Sequence, residues 1–215
     1  MPLPMVHLSV AAAMWAGQSE AWARAFVLGS LAPDAIHMRQ GATGDDKRRT
    51  HLQVYSTLAG PGETQALLDQ LGVLDAPADP FLLGYASHLL TDGLWRALVW
   101  LPMQCRLPLH MSGDEQRRLY YRETDEIDRV LYERMRSHPR AWDLLAAATP
   151  RDVAGLLSAE EVALWRERTL HWFERQPAAS EPLMFLSVEQ TLSFADGAAA
   201  QIIGWLEECG VWSKG

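Results

Sequence analysis

The segment FLLGYASHLLTDGLW, residues 81–95, constrains the fold more than any other part of the chain. Asp79 and Pro80 precede it, a capping residue and a first-turn proline that together predict a helix starting there. Apolar residues cover almost its whole circumference, so this helix must lie inside a domain, surrounded by other elements. Yet His88 and Asp92 occur in its middle, and burying an imidazole and a carboxylate is unfavourable unless a partner satisfies them. The segment therefore predicts a central helix that carries a polar site.

The surrounding segments show helical periodicity, and alternating runs of β-branched residues are missing. Ser19, Ser112 and Ser158 each precede a predicted helix as its capping residue. We therefore expect an all-α fold, a multi-helix bundle forming a single domain over residues 1–215. The pattern further predicts a first helix at about 5–16, an irregular loop at 30–46, a third helix at 47–59 and a loop at 103–111.

The charge balance limits the partners of the chain. Lys and Arg total 19 against 27 Asp and Glu, a net charge of -8. Affinity for nucleic acid comes mainly from Lys and Arg, so we expect no nucleic-acid partner. A small phosphate ester stays compatible, because a bound metal ion supplies its own positive charge. A basic leader and a run of about 18 apolar residues are both missing, so we expect a cytoplasmic protein without a transmembrane segment.

His88 and Asp92 are four residues apart and so project from one face of the predicted helix. That spacing lets two side chains bind one metal ion. His7, Asp34 and His51 add candidate ligands from three other segments, and zinc accepts imidazole and carboxylate ligands together. The alternative is a core histidine that Asp92 satisfies directly, with no metal.

Four segments that carry these residues resemble the bacterial zinc-dependent phospholipase C family: PMVHLSVA, GSLAPDAIHMR, DKRRTHL and GYASHLLTDGLW. More distantly, they are similar to the fungal and plant single-strand nucleases that share its helical fold. The resemblance covers roughly the first 130 residues. It implies one zinc ion bound by Asp34, His51, His88 and Asp92. It also implies a second ion bound by His7, with Asp92 as the shared carboxylate.

The family's third ion takes a histidine shortly after the aspartate of the HxxxD motif, but GLWRALVW after Asp92 contains none. The segment YYRETDEIDRVLY offers a substitute. Its residues Tyr121, Asp125, Asp128 and Tyr132 form one helical stripe. Asp128 is the residue we expect to act as a metal ligand or as a partner of one, and a solvated acidic face is the alternative.

These residues indicate a hydrolase of phosphate esters that acts through a metal-activated water. The metal is one or two zinc ions or another divalent cation, and the resemblance implies phospholipid head groups as substrates. Asp34 is the expected catalytic base, and His37, Lys47 and Trp95 are the expected substrate contacts. One alternative is a metal-stabilised helical module that binds a partner or metabolite without turnover. Another is a phosphohydrolase of the HD superfamily, although the adjacent His-Asp pair of that group is missing.

Overall fold

Helices account for nearly all regular structure in the computed structural model, which describes residues 3–52, 60–74, 79–137, 139–174 and 182–213. The α-helices are α1 Pro4–Met14, α2 Glu20–Gly29, α3 Gly44–Thr50, α4 Pro61–Gln70, α5 Pro80–Trp95, α6 Leu101–Arg106, α7 Gly113–Ser137, α8 Pro139–Ala146, α9 Ala159–Leu170 and α10 Val188–Glu208. A 3-10 helix, Ala32–Met38, follows α2, and a π-helical turn, Arg96–Trp100, joins α5 to α6. Within the described ranges there is no strand, only an isolated bridge between Val153 and Leu157. The prediction of an all-α fold is confirmed.

Helix α5 is buried along almost its entire length, as its apolar circumference predicts. Asp79 caps it by accepting a hydrogen bond from the Phe81 amide at 2.9 Å, and Pro80 occupies the first turn. Helices α1, α2, α4 and α10 all pack on α5. The described helices share one hydrophobic core with α5 inside it.

Two glycines allow α2 and α5 to cross at backbone contact. A Cβ atom on Gly84 would lie 2.1 Å from the carbonyl oxygen of Phe26. A Cβ atom on Gly29 would lie 2.0 Å from the carbonyl oxygen of Phe81. No larger residue fits at either position without moving a helix. The crossing brings the C-terminal end of α2 against the polar face of α5.

The region 30–46, expected as an irregular loop, contains the 3-10 helix and the start of α3. Thr43 and Asp46 form a capping box in which the Thr43 hydroxyl accepts from the Asp46 amide and the Asp46 carboxylate accepts from the Thr43 amide. This pair starts the helix earlier than predicted. Helix α3 ends at Thr50, and residues 53–59 of the predicted third helix lie outside the described residues.

The loop predicted for 103–111 is wrong in its first part, because α6 continues to Arg106. Pro102 lies in the first turn of α6, directly after the π-helical turn. Among the helices that the structure describes, none combines the length and the apolar content that spanning a membrane requires. Cys105 and Cys209 are both free thiols.

Candidate metal centre

The fold brings five predicted ligands from four segments to one buried point. His7 comes from α1, Asp34 from the 3-10 helix, His51 from the end of α3, and His88 and Asp92 from α5. Each is at most 7 % exposed. They form two groups that share His88, one with His7 and Asp92 and one with Asp34 and His51. Within each group the potential ligand atoms lie within 4.8 Å of one another, so each group could hold a metal ion.

The Asp92 carboxylate lies among three imidazoles. Its Oδ1 is 3.6 Å from Nε2 of His7, and its Oδ2 is 3.7 Å from Nε2 of His51 and 3.8 Å from Nε2 of His88. Asp34 Oδ1 lies 3.5 Å from Nε2 of His51. Two ligand atoms on a tetrahedral zinc ion, with bonds of 2.0–2.1 Å, are about 3.3–3.4 Å apart. The observed spacing therefore fits a divalent cation, and the two oxygens of Asp92 face different histidines.

Backbone carbonyls orient two of the imidazoles. His88 Nδ1 lies 2.9 Å from the Ser30 carbonyl oxygen, and His51 Nδ1 lies 2.9 Å from that of Lys47. A carbonyl only accepts hydrogen bonds, so in both rings Nδ1 carries the proton and Nε2 carries the lone pair. Metal-binding histidines are oriented in this way. The close crossing of α2 and α5 is what brings the Ser30 carbonyl within reach of His88.

Several buried polar atoms at this point lack a hydrogen-bond partner among the described residues: both ring nitrogens of His7, Nε2 of His88 and Oδ1 of Asp92. Each such atom costs roughly 1–3 kcal/mol of stability. His7 and His88 stack face to face, with centroids 3.7 Å apart and planes at 6°, which satisfies neither ring's nitrogens. Asp92 does not satisfy His88 directly, because their nearest atoms are 3.8 Å apart. A cation would satisfy these atoms together, so the residues fit a metal ion.

Burial also fixes the protonation states of these groups. Desolvation lowers the pKa of His88 to about 3 and lowers the pKa of His7 well below its ordinary value. Desolvation has the opposite effect on a carboxylic acid and raises the pKa of Asp92 to about 6. At neutral pH these imidazoles are uncharged and Asp92 is ionised, which are the states that bind metal.

Asp34 has a different environment from Asp92. Burial alone would raise its pKa, but the interactions with His37 and His51 and the charge of Lys47 hold its pKa well below the ordinary value. The Lys47 ammonium lies 3.1 Å from Asp34 Oδ1 and 2.9 Å from Nε2 of His37. Asp34 is therefore ionised and lies between the buried ligands and a cation.

A cavity of about 330 Å³ adjoins Asp34, and its described lining comprises Leu3, Pro4, Asp34, His37, Lys47, Tyr121, Trp165, Arg168 and Trp172. Two predicted substrate contacts, His37 and Lys47, thus line a cavity that also has a candidate metal ligand in its wall. A larger cavity of about 450 Å³ lies between α6 and α10 and includes none of the predicted site residues. The smaller cavity is the one that can serve this site.

Asp128 belongs to neither ligand group. Both of its carboxylate oxygens lie 3.1 Å from the Met5 amide, which donates to them. Helix α1 has no capping side chain of its own, so Asp128 caps it from a distant part of the chain. The structure thus makes Asp128 a support for the helix that carries His7. Its predicted stripe does not share one environment either, since Tyr121 and Asp125 are exposed while Asp128 and Tyr132 are buried.

The prediction of a substrate contact at Trp95 is wrong. Its side chain is fully buried, and its indole N–H donates to the Tyr120 hydroxyl at 2.8 Å. Its ring also meets Phe194 edge to face. Trp95 therefore packs in the core, where a substrate cannot reach it.

Sequence reasoning missed the arginine and the two tryptophans of the cavity, Arg168, Trp165 and Trp172. They lie in the C-terminal half of the chain, outside the segments from which the site was predicted, and tryptophan side chains are usually packing residues. It also missed the Ser30 carbonyl, since a backbone group leaves no mark in a sequence.

Comparisons of the chain with protein-family models, with curated proteins and with solved structures found no match.

Proposed function

We propose that this protein is a zinc-dependent hydrolase of phosphate esters. The observation that carries the proposal is the set of buried, unsatisfied imidazole and carboxylate atoms that adjoins a cavity lined by cations. Asp34 connects the two, since it is within ligand distance of His51 and also lines the cavity. Catalytic metal sites keep one position open to substrate or water, and a cavity against one ligand gives such access.

A bound divalent cation supplies two effects there: it lowers the pKa of water and stabilises negative charge on phosphoryl oxygens. The chain's own residues do the rest. Asp34 is ionised at neutral pH and accepts the proton of the attacking water. Lys47, which lies 3.1 Å from Asp34, donates hydrogen bonds to the phosphoryl oxygens and so orients the ester for in-line attack.

The ligand set also bears on the metal. Three imidazoles and two carboxylates suit zinc, and they exclude the all-oxygen shells that magnesium and calcium prefer. Iron and manganese accept similar ligands, so the proposal of zinc is tested by metal analysis of the purified protein.

A structural metal site, in a module that binds without turnover, is the second candidate. The burial of all five ligands favours it, because structural zinc sites are closed to solvent. The phosphohydrolases of the HD superfamily are less well supported, since their adjacent His-Asp pair has no counterpart here.

The test combines metal content with activity. We expect the wild-type protein to bind zinc, and His88→Ala and Asp92→Ala to lose it, because each removes an atom within ligand distance of the others. His171→Ala is the matched control, since this histidine is exposed and pairs with Glu174 rather than with the site. Elemental analysis and a zinc competition titration measure binding.

The same preparations are then assayed on a panel of phosphomonoesters and phosphodiesters, after metal removal and after zinc addition. Hydrolysis that depends on zinc and is lost in His88→Ala would support the proposal. Tight zinc binding without turnover of any ester would favour the structural site. A wild-type protein that binds no divalent metal would overturn both.

A further inference from the structure

We propose that the cavity beside the metal centre is specific for the dianionic phosphate of a small phosphomonoester, and that Lys47 and Arg168 bind it. The inference rests on the proposed function and deepens it by naming the substrate class. Three observations support it: the contacts that position the two cations, the charge of the cavity lining and the volume of the cavity.

Arg168 is positioned by aromatic rings. Its guanidinium carbon lies 4.9 Å from the ring centroid of Trp172 and 5.7 Å from that of Trp165. Among the described residues no carboxylate forms an ion pair with it, whereas Arg39 is bound by Glu161 at 2.6 Å. A guanidinium that lies on aromatic faces keeps the N–H groups at its edge available, and their planar arrangement matches two phosphate oxygens.

Lys47 reaches the same cavity from a different helix. Helices α3 and α9 both pack on the 3-10 helix that carries Asp34, and their side chains Lys47 and Arg168 both line the cavity. The Lys47 ammonium lies 3.1 Å from Asp34 Oδ1. A cation at the ligand group takes up the negative charge of Asp34, so the ammonium becomes available to a second anion.

The charge of the cavity lining favours a phosphomonoester over a diester. Lys47 and Arg168 bring two positive charges to the lining of the cavity, and Asp34 brings one negative charge that a divalent cation would offset. A phosphomonoester carries about 1.5 to 2 negative charges at pH 7, and a diester carries only one. The site therefore complements the monoester.

The cavity volume limits the rest of the substrate. About 330 Å³ is near the lower end of the range for small-molecule sites, roughly 300–1,000 Å³. The aromatic side chains of Tyr121, Trp165 and Trp172 in its lining favour an apolar or aromatic ester group. We thus infer a small organic phosphate as the substrate.

In the reaction, the water oxygen forms a bond to phosphorus while the ester P–O bond breaks. The proton taken by Asp34 is returned to the leaving oxygen, so the products are an alcohol and inorganic phosphate. Inorganic phosphate keeps the dianionic group and therefore serves as a binding probe that needs no turnover.

The first measurement is a phosphate titration of zinc-loaded protein, followed by tryptophan fluorescence, because Trp165 and Trp172 line the cavity. We expect Arg168→Met and Lys47→Met each to weaken phosphate binding about tenfold or more, since each removes a charged hydrogen-bond donor. Arg48→Met is the control. This neighbour of Lys47 is exposed, pairs with Asp45 and is not among the described residues that line the cavity. Equal losses in all three variants would mean only a general charge effect and would overturn the inference.

The second measurement compares phenyl phosphate with methyl phenyl phosphate. We expect a higher kcat/KM for the monoester, and a larger loss in Arg168→Met for the monoester than for the diester, with zinc content unchanged. Zinc-dependent hydrolysis without a preference for the monoester would overturn this inference and leave the proposed function standing. Phosphate binding that depends on Arg168, without hydrolysis of either ester, would overturn the proposed function and leave the binding inference standing. Failure of zinc-loaded protein to bind phosphate would overturn the inference directly.

Discussion

Asp92 faces imidazoles that come from three different segments, and its two carboxylate oxygens lie near different imidazoles. Oδ1 faces His7, while Oδ2 faces His51 and His88. A carboxylate at this depth is costly without a cation, and its pKa, raised to about 6 by burial, measures that cost.

The raised pKa of Asp92 predicts the pH dependence of metal binding. Zinc must displace the proton that Asp92 holds below about pH 6, whereas burial keeps His7 and His88 neutral through the same range. Zinc affinity should therefore rise about fivefold between pH 5 and pH 6 and level off above about pH 7. Competition titrations with a chelator at fixed ionic strength measure this.

Asp92→Asn is the control for that prediction, since it keeps the size of the side chain and removes its titration. It should bind zinc more weakly and lose the slope between pH 5 and 6. A wild-type affinity that does not change over this interval would contradict the assignment of Asp92.

At the scale of elements, the crossing of α2 and α5 both holds the core together and orients His88. Gly84→Ala places a methyl group 2.1 Å from the Phe26 carbonyl oxygen, so the helices must separate. We expect a loss of about 3 kcal/mol or more in the free energy of unfolding, measured by urea denaturation. Zinc affinity should fall too, because the Ser30 carbonyl moves away from His88.

Gly197→Ala is the matched control, because Gly197 lies in α10 with nothing within 4 Å of an added Cβ. It should raise stability by roughly 0.5–1 kcal/mol, the ordinary gain from replacing a helical glycine. Equal effects of the two substitutions would show that the close crossing is not needed.

Asp128 of α7 caps the N-terminus of α1, and this contact gives a second prediction at this scale. Asp128→Ala leaves the Met5 amide without its acceptor in a buried place, so unfolding should become easier by roughly 1–3 kcal/mol. Asp128→Asn keeps an acceptor oxygen and should cost less, because it also removes a carboxylate whose pKa burial raises well above the ordinary value.

Asp125→Ala, one turn earlier on the exposed side of α7, should change stability by less than about 0.5 kcal/mol. If Asp128→Ala weakens zinc binding while Asp125→Ala does not, the cap also positions His7. Loss of stability in Asp128→Ala with unchanged zinc affinity would restrict the cap to a purely structural role.

The elements that sequence predicts well are those whose signals are local. Asp79 and Pro80 predict where α5 begins, and the four-residue spacing places His88 and Asp92 on one face. That His7, Asp34 and His51 reach the same point depends on how helices pack, which spacing alone does not determine. The Met5–Asp128 pair spans 123 residues, and Arg168 reaches the cavity only because α9 packs on the 3-10 helix. Contacts of this kind leave no local pattern in the sequence from which they could be predicted.

At the scale of the whole molecule, the ligands come from α1, the 3-10 helix, α3 and α5, so metal binding should stabilise the entire fold. A ligand that binds only the native state adds about 2.7 kcal/mol at 100 times its Kd. For a chain of this size, that corresponds to a rise in Tm of about 5–10 °C. Calorimetry with and without zinc measures the shift.

His88→Ala should abolish this rise in Tm, and the surface control His171→Ala should keep it. A wild-type Tm that is the same with zinc and after chelation would argue against a site that joins these segments.

The hydrogen bonds between Met5 and Asp128 also set an order of events during synthesis. All five candidate ligands lie within residues 7–92 and are therefore translated before α7. Until residue 128 has been translated, the Met5 amide lacks the acceptor that α7 supplies in the apolar place where α1 docks. The nascent chain can therefore assemble its complete ion-binding pocket only after more than half of it has been translated.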